Sequence, residues 1–121
     1  MVNVETFESV KLLEVVNAVA HIAREHLAAQ DTKVETGQDG WFALEVEFEF
    51  ITEVSIHGAS SISKRQVWVR TELHPHANGL VELHAWGSKP IRIDPDPGVI
   101  ASLLFARAWC KDRRTLEGLG G

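Results

Sequence analysis

Apolar and charged side chains alternate across residues 41–57. Phe42, Leu44, Val46, Phe48, Phe50, Val54 and Ile56 share one parity, and Glu45, Glu47, Glu49 and Glu53 share the other. A period of two puts the first set on one face of a β-strand and the carboxylates on the opposite face. The pattern predicts a long strand with one packed and one acidic side, with a bulge or bend expected near residues 51–53. Residues 66–74 repeat it with Val67, Val69, Thr71 and Leu73 inward, and residues 80–86 with Val81, Leu83 and Ala85 inward. Residues 91–93 form a short fourth strand. The Gly58-Ala59-Ser60-Ser61 run reads as part of a loop over 58–64, and residues 75–79 and 87–90 read as turns.

The period changes at both ends of the chain. In residues 6–30, Leu13, Val16, Ala20, Ala23 and Leu27 recur at spacings of three and four, flanked by Leu12, Val15, Val19 and Ile22. This predicts a helix with a wide apolar stripe, started by Thr6 or Ser9 as N-cap. Residues 31–40 are polar, end in Gln38-Asp39-Gly40, and read as a connection. Asp96 followed by Pro97 is a strong helix start, because the carboxylate accepts from orphan amides and the ring presets φ. That second helix should run to about residue 114. Ile100, Leu103, Leu104, Ala108 and Cys110 lie among its apolar positions, and Lys111, Arg113 and Arg114 complement its dipole. Residues 116–121 read as a frayed tail. The order is helix, four strands in a meander, helix. Strands with one apolar face need a cover on that side only. The expectation is therefore a single α+β domain over residues 1–121. It is a two-layer sandwich in which both helices lie on one face of a four-stranded antiparallel sheet.

Charge narrows the partners. The 121 residues carry a net charge of −5, which disfavours nucleic acid and membrane surfaces. The order of elements is analogous in topology to double-stranded RNA-binding domains, which place lysines at the start of the last helix. Here that position holds Asp94-Pro95-Asp96-Pro97, which would repel phosphate. No apolar run approaches a membrane span. Cys110 is the only cysteine, so no internal disulfide forms and a reducing compartment fits. The first residues lack a signal-peptide pattern, and the cytoplasm is the expected location.

Candidate chemistry is sparse. His74, His76, Glu82 and His84 have metal-ligand types, but Pro75 lies between the first two at a turn and nothing supplies a buried supporting shell. No metal and no cofactor is expected. The clustered glutamates sit on a wet face, Asp94 and Asp96 suit a cap, and Cys110 has no histidine nearby and reads as a small buried hydrophobe. Ser60, Ser61 and Ser63 lack a nucleophile-elbow context, and Gly118, Gly120 and Gly121 do not make a phosphate loop. An enzyme is not expected.

The open face carries the functional expectation. Parity places Glu45, Glu47, Glu49, Ile51, Glu53, Ser55, Trp68, Arg70, Glu72, His74, Glu82, His84 and Trp86 there. A three-residue loop at Ala77-Asn78-Gly79 sets His74 opposite Glu82, Glu72 opposite His84 and Arg70 opposite Trp86. The first strand can then bring Glu53 beside Arg70 and Glu49 beside His74. Trp41 and Trp109 read as core or core-edge packing. Trp68, Arg70 and Trp86 are the expected anchor of a protein interface, flanked by Glu45, Glu47, Glu49 and Glu53. The leading expectation is an inhibitor of another protein with a basic surface, of immunity, antitoxin or phage anti-defence type. The alternatives are a structural or assembly protein that homodimerises through the open face or first helix, and a small-ligand or metal-dependent enzyme at the histidines.

Overall fold

A computed structural model describes residues 9–37, 39–85 and 89–120, with side chains from Lys11 to Thr115 within those ranges. The elements follow the order α1 (Ser9–His26), β1 (Ala29–Thr36), β2 (Phe42–Ile56), β3 (Ala59–Pro75), β4 (Val81–His84), β5 (Ile91–Ile93) and α2 (Pro97–Gly120). All neighbouring strands are antiparallel, in sheet order β1-β2-β3-β4-β5. The α+β sandwich with terminal helices is as expected, but the sheet has five strands rather than four.

The extra strand is β1, which had read as the end of a helix and a polar connection. The helix stops at His26. Leu27 still donates to the Ala23 carbonyl at 3.1 Å, and Ala28 then turns the chain with φ 57°. A left-handed residue cannot continue the helix. The strand that follows is an edge, exposed on most of its length. Its hydrogen-bonding partner is β2, and its side chains need no apolar period to hold it there. Thr6 lies outside the described residues, as does the side chain of Ser9.

The second departure is the β2–β3 connection. The expected 58–64 loop is strand, and the turn is only His57-Gly58, at φ 52° and 80°. Two positive-φ residues make the primed turn whose twist suits a two-residue hairpin. Register then runs without a bulge from Ile56↔Ala59 to Phe42↔Leu73, so the irregularity expected near residues 51–53 is absent. Among the described residues, the register shift falls between Ala29 and Asp31 of the β1–β2 pair.

Even-numbered β2 side chains face the helices. Leu44, Val46 and Phe48 are buried with Leu12, Val16, Val19 and Ala23 of α1 and Ile100, Leu104 and Ala108 of α2. Phe105 meets Phe48 edge-on at 5.5 Å between centroids and lies 5.9 Å from Phe50. Asp96 caps α2 as expected, accepting from Gly98 at 2.9 Å and Val99 at 3.3 Å. Its backbone continues to Gly120, past the expected end near 114, so residues 116–120 are helix and not tail.

Two side chains of α2 depart from expectation. Its buried residues are Ile100, Ala101, Leu104, Ala108 and Asp112, one stripe at helical spacing. Cys110 and Trp109 fall off that stripe and are exposed. Trp109 instead lies under Arg113, one turn on, at 5.1 Å. Asp112 is the buried charge that sequence reading missed. Arg65 Nε and Nη2 donate to its two oxygens at 2.6 and 3.0 Å, and Nη2 reaches Thr52 Oγ1 at 2.8 Å. Arg65 has the inward parity of Val67 and Val69, which was the available signal.

Candidate functional site

The open face is built from the outward positions of five strands. Register sets Asp31 beside Glu47 and Trp68, and Lys33 beside Glu45 and Arg70. One row further, Glu35 lies beside Ala43, Glu72 and His84, and then His74 aligns with Glu82 and Arg92. The β3–β4 register is as expected, with Glu72 opposite His84 and His74 opposite Glu82. Arg70 opposite Trp86 lies outside the described residues, as does Trp86 altogether.

The two-residue hairpin moves β2 relative to expectation. Arg70 faces Glu45 and not Glu53, and Glu49 faces Gln66 and not His74. Glu49 accepts from Gln66 Nε2 at 3.2 Å, while Glu53 stands opposite Ile62, away from the rest. Arg70 therefore sits among three carboxylates: Glu35 and Glu72 at 3.4 Å and Glu45 at 3.6 Å.

The histidines are held by carboxylates along their own strands. His74 Nε2 is 3.0 Å from Glu72 and His84 Nε2 is 2.5 Å from Glu82. Arg92 Nε donates to Glu82 at 2.9 Å, and His76 Nδ1 lies 3.8 Å from the same oxygen. The His74 and His84 rings are 4.1 Å apart, and Trp41 stacks on His74 at 5.2 Å. Trp41 is thus half-buried on the open face and not in the core. Glu72 is pulled below its ordinary value of 4.5, first by His74 and then by Arg70. Glu82 is pulled down by Arg92 and then His84. Among the described residues, no group of three or more His, Cys, Asp or Glu is placed to hold a metal ion.

Trp68 is half-buried. Lys33 Nζ lies over its ring at 4.9 Å from the centroid, and its carbonyl accepts from Lys111 Nζ at 2.8 Å. Of the expected site residues, Glu45, Glu47, Trp68 and Arg70 are brought together, Glu49 flanks them and Glu53 is remote. Comparison with protein families, characterised proteins and solved structures found no match. Sequence reading missed Asp31, Lys33 and Glu35, because β1 had read as a connection. It also missed the partnership of Trp41 with the histidines.

The helix side holds a concavity. Between α2 and the β4–β5 edge lies a cavity of about 330 Å³ lined by Leu83, Ile91, Ile100, Leu103 and Leu104, with Cys110 beside them. No helix of those described is long and apolar enough to cross a membrane.

Proposed function

We propose that this chain is a protein-binding module that inhibits its partner by covering a basic surface, as an immunity, antitoxin or anti-defence protein would. The observation that supports this most is the β1–β2 half of the open face. Asp31, Glu35, Glu45, Glu47 and Glu49 stand there against Lys33 alone, with Trp68 at their border. A net acidic face of this kind, offset only in part by Lys33 and by Arg70 beside Glu35 and Glu45, speeds encounter with a basic one, and the half-exposed indole supplies contact area once the partner has docked.

The test begins with capture from the native host and identification of the bound protein by mass spectrometry, followed by surface plasmon resonance. Glu47→Lys with Glu49→Lys should slow association by about tenfold at low salt and by less at high salt. Trp68→Ala should leave association unchanged and hasten dissociation by about thirtyfold, the equivalent of a 2 kcal/mol hot spot. A partner bound equally well by both variants, with no salt dependence, would remove this reading.

A further inference from the structure

The β2–β3 hairpin outruns the rest of the sheet. β1 pairs with β2 only as far as Phe48, and β4 meets β3 only from Glu72 onward. Every residue from 53 to 64 is exposed. The arm nevertheless carries large apolar side chains: Ile51 and Ile56 at 59% exposure, Val54 at 40% and Ile62 at 64%. A two-stranded ribbon is marginal alone, and a free apolar edge invites another strand.

Its two edges differ. The β2 edge is marked by Glu49 and Glu53, and charged residues discourage pairing. Higher on β3, Lys111 reaches from α2 to occupy the Trp68 carbonyl. Between these guards, residues 54–63 contain no Asp, Glu, Lys or Arg. The Lys111 bond also shows which β3 residues point their backbone outward. Trp68 does, so by the period of two Ser60, Ile62 and Lys64 do as well.

We infer that two copies of this chain pair antiparallel along the outer edge of β3 over residues 59–65, with a two-fold axis at Ile62. The pairing is self-complementary. Ile62 meets its copy, Lys64 faces Ser60, Ser61 faces Ser63, and no like charges stand opposite one another. The arm's tip, residues 54–63, holds no Asp, Glu, Lys or Arg, and with the basic Lys64 beside it is where two copies of net charge −5 approach with least repulsion, whereas the acidic open faces oppose direct contact. The resulting four-stranded ribbon is bounded by the glutamate-bearing β2 edges, so growth stops at the dimer. The inference does not rest on the partner proposed above.

Sedimentation velocity of the full chain over a concentration series tests it without any partner. The expected result is a shift from 13.4 kDa to twice that mass as concentration rises. Ile62→Lys should raise the dimer dissociation constant at least about tenfold with unchanged circular dichroism. In a Cys110→Ser background, Ile62→Cys should oxidise to a disulfide-linked dimer, because facing Cα atoms about 5.5 Å apart are within disulfide reach. Ser55→Cys, on the other strand, should not. A 13.4 kDa species at every concentration would overturn the inference. A dimer indifferent to Ile62→Lys, or one cross-linked as readily through Ser55→Cys, would do the same.

Discussion

Single residues set the two places where this chain departs from its apparent pattern, and both are backbone effects. Ala28 ends α1 at φ 57° and His57 opens the hairpin turn at φ 52°. A left-handed residue other than glycine costs about 1–2 kcal/mol, while glycine loses roughly 0.5–1 kcal/mol more chain entropy on folding. The first effect wins at Ala28, an exposed position. Ala28→Gly should therefore stabilise the protein by roughly 0.5 kcal/mol, seen as a higher urea midpoint at unchanged slope. Equal or lower stability would mean that the helix end is set by packing. Gly37, at the other end of β1, illustrates a different constraint. A Cβ there would overlap the Trp41 indole, so the backbone of residue 37 is part of the shelf that holds Trp41 against His74.

At the scale of elements, Arg65 and Asp112 tie α2 to the base of the arm. The carboxylate is almost wholly covered, with 5% of its side chain exposed, and its hydrogen bonds raise the pKa of the guanidinium further. Removing one member leaves the other's covered charge without its partner. Asp112→Ala should lower the denaturation midpoint more than Asp112→Asn, which keeps an acceptor for Arg65. Arg65→Ala should loosen the arm itself, read as faster amide exchange over residues 51–64. Equal midpoints for the two Asp112 variants would reduce the pair to a surface contact.

These elements differ in how far the sequence exposes them. β2 was legible because burial of one face imposes a strict period. The inward residues of β3 and β4, the β3–β4 register and the Asp96 cap were legible for equally local reasons. β1 was not, since an edge strand wet on most of its length keeps no period. The serine tract hid the start of β3 in the same way. The β2–β3 register depended on that turn, so the expected neighbours of Arg70 and His74 failed with it. Arg65 and Asp112 lie 47 residues apart, and only the packing of α2 against the sheet brings them together.

For the molecule as a whole, the open face is a linked set of charges and its response to acid follows. Glu72 and Glu82 both titrate below their ordinary value of 4.5 in the folded chain. Their contribution is present above the unfolded value and is lost as pH falls through the folded one, because the unfolded chain then binds more protons. Stability should therefore decline below about pH 4.5, the unfolded value. Glu72→Gln with Glu82→Gln should flatten that acid limb, measured as thermal midpoint against pH. An unchanged limb would place the acid sensitivity elsewhere.

The unbroken β2–β3 ladder also governs how such an arm can vary among descendants. Each added residue inverts every side chain beyond it. An arm that gains one residue in a strand must absorb it in a bulge or carry its apolar face to the wrong side. Lengthening without such a defect comes in steps of two per strand, each extending the reach by about 7 Å and leaving the body of the sheet untouched. The reach of this molecule is thus inherited in discrete increments, independently of the face beside it.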